Sequence, residues 1–159
     1  MAIQITRHFA TVKGERQVHY RRAGSGPPVI LLHQSPTSSR EYIPLIQEIA
    51  GKGFTVFSPD TPGNGMSDPF PGDEWKPMEE FADGVVNLMD ELGITKAPVY
   101  GFHTGGVCAL ALGLRHPDRF TVAIMNGYIQ MDKDEVDEIL QHYLPEVVPD
   151  WSGSHLTWT

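Results

Sequence analysis

The stretch VYGFHTGGVCALAL, residues 99–112, constrains the fold more than any other part of the chain. An apolar run meets Gly101, three residues bridge to the pair Gly105 and Gly106, and an apolar segment of helical composition follows. A strand that passes into a helix through so short a turn strains its apex. The neighbours of that apex must be small, so that strand and helix can approach closely. The same geometry lifts the apex side chain clear of the backbone, where a substrate can meet it. Here the apex is His103. A dinucleotide-binding reading of the stretch fails, because Gly-x-Gly would place its second glycine at position 103.

The rest of the chain alternates strand and helix around this turn. ITRHFATV and RQVHYRR flank Lys13-Gly14-Glu15 as an antiparallel hairpin. PPVILL, residues 27–32, is continuously apolar, as expected of a strand buried on both faces. Tyr42, Leu45, Ile46 and Ile49 have helical spacing, and Pro44 in the first turn sets that helix to begin near residue 42 or 43. Strands are expected near 29–32, 55–58, 97–100 and 121–126, with helices at MEEFADGVVNLMDELG, GGVCALALGLRH and about 133–143. The predicted class is α/β: a mostly parallel sheet with helices on both faces and an opening antiparallel hairpin. Residues 1–128 are read as the core, and 129–159 as the start of a cap or an interaction segment. Ligands of such sheets bind beyond the carboxyl ends of the strands. Three unusual turns, HQSP, DTPGNGMSD and GFHTGG, fall at those ends.

Charge narrows the partners. A formal charge of −8 argues against nucleic acid or an anionic membrane, both of which need a basic surface. The acidic run DKDEVDE reads as a solvated helix face. Cys108, the single cysteine, excludes an internal disulfide framework and is read as a small core residue in a reducing, cytoplasmic setting. The N-terminal residues lack the pattern of a signal peptide, and no apolar run approaches ~18 residues. No His/Cys/Asp/Glu group has metal-ligand spacing, so neither metal nor cofactor is expected. His142 and His155 are read as surface residues.

From about Val12 to Tyr128 the chain resembles the α/β-hydrolase fold family, in its cap-bearing, single-domain form. AGSGPPVILLHQSPTSS resembles the approach to the His-Gly-x-Pro turn, SPDTPGNGMSD the Asp-x-Pro-Gly-x-Gly-x-Ser loop, YGFHTGG the nucleophile elbow, and RHPDRF the lead into the next strand. The resemblance covers roughly the N-terminal half of a complete member. The family's catalytic acid and histidine follow later strands, outside the part matched. Two departures fall at the chemistry: Gln34 replaces the glycine of the oxyanion turn, and His103 replaces the nucleophile.

Carried over, the resemblance implies an oxyanion hole from the backbone amides of Ser35 and Thr104, with the alternative that both residues simply cap turns. His33 is expected to be a buried hydrogen-bonding strut. Gln34 stands beside the site, to bind substrate or to block a pocket. Asp60, Gly63, Gly65 and Ser67 are expected to brace their loop. For His103, the positive end of the following helix disfavours imidazolium. Neutral imidazole can attack a carbonyl directly or act as general base on a water. The expected function is hydrolysis of a small ester, lactone or related carbonyl compound, with His103 as nucleophile or base. The alternatives are a lyase, or a binding protein in which the pocket survives without catalysis. A second chain, either the missing half or another copy, is expected against residues 120–128 or the tail, with Trp151 and Trp158 as contacts.

Overall fold

The computed structural model describes residues 3–127, 131–142 and 151–152. It divides into two compact units, Met1–Tyr128 and Ile129–Thr159.

In the first unit, the hairpin strands β1 (Thr6–Val12) and β2 (Arg16–Ala23) open the chain. Then come β3 (Pro28–Leu32), a short 3-10 turn Ser39–Tyr42 and helix α1 (Ile43–Gly51), followed by β4 (Thr55–Pro59). Helix α2 (Met78–Glu91), β5 (Ala97–Phe102), α3 (Thr104–Arg115) and β6 (Phe120–Asn126) complete the unit. The strand order is β1-β2-β4-β3-β5-β6. The β1/β2 and β2/β4 pairs are antiparallel and the remaining three are parallel, so the sheet is mixed and closed by the hairpin on one side.

The apolar run of β3 explains why the sheet is covered on both faces. Ile30 and Leu32 join a core with Phe57, Val99 and residues of α2 and α3. Leu31 points the other way, into a second core with Val56 and with Tyr42, Ile46 and Ala50 of the α1 region. Period-two alternation across a run with no polar residue needs apolar partners on each side. Burying each of these larger side chains stabilises the fold by about 1.5–3 kcal/mol. Helix α1 starts where Pro44 allows, with the proline in its first turn.

The strand β6 departs from the buried pattern. It lies at the sheet edge, and after Phe120 its residues are exposed. Val122 is 52% and Ile124 48% exposed, and Leu110 and Leu114 of the neighbouring α3 are exposed as well.

In the second unit, helix α4 spans Lys133–His142. Its start is fixed by a reciprocal cap. The Glu135 amide donates to Asp132 Oδ1 at 3.0 Å, and the Asp132 amide donates to Glu135 Oε2 at 2.9 Å. The acidic run is thus a solvated helix start whose carboxylates satisfy otherwise orphaned amides. Trp151 is fully exposed. The expectations for His155 and Trp158 lie outside the described residues, as does the side chain of His142.

Candidate active site

Strands β4, β3 and β5 are parallel neighbours, so the residues following them meet at one edge of the sheet. Those residues are Asp60 after β4, His33 after β3 and His103 after β5.

The elbow is strained at its apex and crowded around it. His103 has φ +52°, a left-handed backbone that a non-glycine residue adopts at a cost. A Cβ on Gly101 would meet the Gly105 carbonyl oxygen at 1.9 Å, and one on Gly105 would meet the Leu32 carbonyl oxygen at 2.0 Å. Neither position admits a side chain. The backbone of His103 is tied on both sides: its amide donates to the Asn126 carbonyl at 2.8 Å, and its carbonyl accepts from Val107 at 3.1 Å. The side chain is exposed, with its ring tilted beside Phe102 at 6.4 Å between centroids. Among the described residues, none hydrogen-bonds the His103 ring. Helix α3 begins at Thr104, so the amides of its first turn have no intrahelical acceptor and face the elbow's mouth.

The turn after β3 is held from several directions. The Gln34 amide donates to Glu41 Oε1 at 3.1 Å, and Thr37 Oγ1 donates to Glu41 Oε2 at 2.6 Å. The Gln34 carbonyl accepts from His33 Nδ1 and from the Thr37 amide. Gln34 therefore works through its backbone, and its half-buried side chain is not part of the cleft described below. The Ser35 amide reaches the elbow itself, donating to Thr104 Oγ1 at 2.6 Å. Ser35 and Thr104 are brought together, but a hydroxyl already occupies the first donor of the pair expected to hold an oxyanion.

His33 is 1% exposed and fully engaged. Its Nε2 accepts from the Thr61 amide at 2.9 Å, so the proton sits on Nδ1, which donates to the Gln34 carbonyl at 2.7 Å. The ring is a strut joining the turns after β3 and β4.

Asp60 is 2% exposed and spends its carboxylate on the protein. Oδ1 accepts from the Ser39 amide at 2.7 Å; Oδ2 accepts from the Met66 amide at 2.9 Å and pairs with His19 Nδ1 at 2.8 Å. Burial alone would raise its pKa. The hydrogen bonds from Ser39, Met66 and His19 outweigh that and hold the carboxyl below the usual aspartate value. Gly65, at φ +56°, lets the loop close over this carboxylate, since a Cβ there would meet Asp60 Oδ2 at 2.1 Å. Ser67 Oγ donates to the Asp60 carbonyl and accepts from the His19 amide, linking the loop to β2.

Beside the elbow lies a cleft of about 410 Å³. Its polar wall is His33, Ser35, Thr61 and Thr104; its apolar wall is Trp75, Met78, Phe81, Val107 and Cys108, and Lys76 stands among them. His103 lies outside this lining. Cys108 is 2% exposed, and burial pushes its thiol up to about 12, so it is an inert core group rather than a nucleophile.

Several of these residues escape a reading of the sequence. Glu41 sits in a run read only as a helix start, yet its spacing from Gln34 and Thr37 lets one carboxylate clamp the turn after β3. His19 alternates with Val18 and Tyr20, which enter the core, so the pattern of β2 places it on the other face and gives no signal that it is buried. Trp75 and Lys76 fall in a loop with no periodicity to mark them. Among the described residues, no cluster has the makings of a metal site, and no helix is long and apolar enough to cross a membrane.

A family model described as the alpha/beta hydrolase fold matches residues 27–153. The chain is similar to a soluble epoxide hydrolase of Corynebacterium sp., at 40% identity over 114 residues, covering 69% of this chain and 37% of that protein. It is also similar to the bifunctional epoxide hydrolase 2 of Rattus norvegicus, at 32% identity over 133 residues, covering 83% of this chain and 24% of that one. Among solved structures, the enol-lactonase of Burkholderia xenovorans superimposes with a TM-score of 0.66 at 31% identity, over 72% of this chain and 45% of that chain. The chain thus spans less than half the length of each of these relatives.

Proposed function

The chain belongs to the α/β-hydrolase fold family, and from that premise we propose that it is the elbow-bearing part of a hydrolase of small esters, lactones or related carbonyl compounds. One observation carries this reading. His103 stands exposed at a strained elbow apex directly before the first amides of α3, with the Ser35 amide within hydrogen-bond reach of Thr104. The names of the relatives, epoxide hydrolases and an enol-lactonase, support hydrolytic chemistry for the fold.

In this mechanism the imidazole of His103 acts at the substrate carbonyl carbon. As general base it takes a proton from a water while the water oxygen bonds to that carbon. As nucleophile its unprotonated nitrogen forms the bond directly, giving an acyl-imidazole that water then hydrolyses. In both routes the carbonyl electron pair moves onto oxygen. That oxyanion is held by the amides of Ser35 and Thr104, once rotation of the Thr104 side chain withdraws Oγ1 from the Ser35 amide. Collapse of the intermediate reforms the carbonyl and expels the alkoxide, which takes the proton held by His103 in the base route and a proton from water in the nucleophile route. The test is release of p-nitrophenol from p-nitrophenyl acetate by the full chain. Turnover above buffer is expected, with loss on His103→Ala. Equal turnover in wild type and variant overturns the assignment of His103.

A second reading, ligand binding without turnover, is favoured by two details: the Ser35 amide is already taken, and His103 stands outside the cleft lining. It would show as ligand-induced stabilisation with no product.

The proposal includes a covering for β6. An apolar strand exposed at a sheet edge beside Leu110 and Leu114 is a surface that proteins pair or cover. We assign it to further polypeptide of the same fold, consistent with relatives more than twice as long as the matched part.

A further inference from the structure

Lys76 is the one charged side chain among the residues lining the cleft. Its side chain is half-buried against that cleft, and among the described residues it has neither an ion pair nor a hydrogen bond. The acidic residues that flank it in sequence, Asp73, Glu74, Glu79 and Glu80, leave it unpaired. The ion pairs of this unit instead use Asp60, Asp83 and Asp90. Among the described residues only Arg115 and Arg119 of the lysines and arginines are ion-paired, so it is the place of Lys76, half-buried in the wall of this cleft, that sets it apart.

Resting on the hydrolase reading above, we propose that Lys76 binds an anionic group of the substrate, so that the compounds turned over are carboxylate-bearing esters or lactones with an apolar body. The cleft supplies each part. The carbonyl belongs at the Ser35 and Thr104 end, the apolar body lies along Met78, Phe81 and Val107, and the carboxylate meets the Lys76 ammonium. Apolar walls remove water that would otherwise screen the charge, which strengthens the pairing. Lysine also commonly lays its stem on apolar surface with its head in water. In that case Lys76 would have no anion preference, and the experiment separates the two.

The experiment uses the full chain and two readouts. The first is calorimetric binding of phenylacetate and of phenylacetamide, a pair of similar shape differing in charge. Wild type and Lys76→Arg are expected to bind the carboxylate about tenfold or more tightly than the amide, as a charge-assisted hydrogen bond implies, and Lys76→Met to bind the two equally. The second is hydrolysis of p-nitrophenyl hemisuccinate against p-nitrophenyl butyrate, where the hemisuccinate preference should vanish in Lys76→Met through a raised KM. No preference in wild type, a preference that survives in Lys76→Met, or no binding of either ligand overturns the anion site. If the calorimetric preference holds but no ester is turned over by any variant, the anion site stands and the hydrolase reading falls. If turnover depends on His103 but carboxylate and neutral compounds are handled alike, the reverse is true.

Discussion

Two histidines close neighbouring parallel strands and face opposite demands. His33 is buried, and each ring nitrogen has a partner: Nδ1 donates to Gln34 and Nε2 accepts from Thr61. His103 is exposed, and no described residue hydrogen-bonds its ring; only its backbone is tied down. A ring with both nitrogens committed is held in one tautomer and one orientation. A ring with both nitrogens free leaves them open to a substrate or a water, but the protein does not orient it. The first arrangement stabilises the scaffold. The second leaves a group available for chemistry, with any orientation supplied by substrate or by further polypeptide.

The sharpest break of that comparison is a crossed pair of substitutions. His103→Ala is expected to lower turnover of p-nitrophenyl acetate by a factor of about 10²–10⁴, the range for losing a general base, while the thermal midpoint stays put. His33→Ala should do the opposite. It orphans the buried Thr61 amide and one acceptor at Gln34, costing about 2–3 kcal/mol of stability by denaturant titration. Were both variants to lose stability equally, the distinction between scaffold and reactive histidine would not hold.

Asp60 tests the scaffold side further. Its pKa lies below the ordinary aspartate value in the folded chain. Its contribution is therefore fully present above the unfolded value of about 3.9 and is lost as pH falls through the lower folded value. Asp60→Asn, which cannot accept from Ser39, Met66 and His19 together, should cost about 3 kcal/mol at neutral pH. It should also flatten the loss of stability with acid below about pH 4. Chemical denaturation at several pH values reads both effects.

A smaller effect is expected where the two regions meet. Thr104→Val removes the hydroxyl that holds the Ser35 amide while preserving side-chain shape. If an oxyanion must displace that hydroxyl, kcat/KM should rise about threefold, roughly 0.6 kcal/mol. A fall instead would make Thr104 Oγ1 a brace of the turn. The smallest effect concerns Cys108, whose buried thiol is pushed up to about 12. It should resist alkylation by iodoacetamide at pH 8 in the native chain and react only when unfolded, as mass spectrometry would show.

The sequence by itself determined what local backbone chemistry dictates. Continuous apolar runs announced buried strands, and the strands expected near 29–32, 55–58 and 97–100 match β3, β4 and β5 within a few residues. The glycines around His103 announced the elbow, because only a strand-to-helix turn of that tightness leaves no room for a Cβ at 101 and 105. With those elements came the α/β class and the convergence of three turns at one sheet edge.

The tertiary structure decided what depends on residues far apart in the chain. It set the strand order β1-β2-β4-β3-β5-β6, which pairs β2 with β4 across the intervening β3. It joined His19 to Asp60 across 41 positions, and the Ser35 amide to Thr104 across 69. It also placed Lys76, from an unpatterned loop, in the wall of the cleft. Periodicity and turn chemistry are properties of a few consecutive residues, whereas a hydrogen bond between distant segments exists only once packing has paid the entropy of bringing them together.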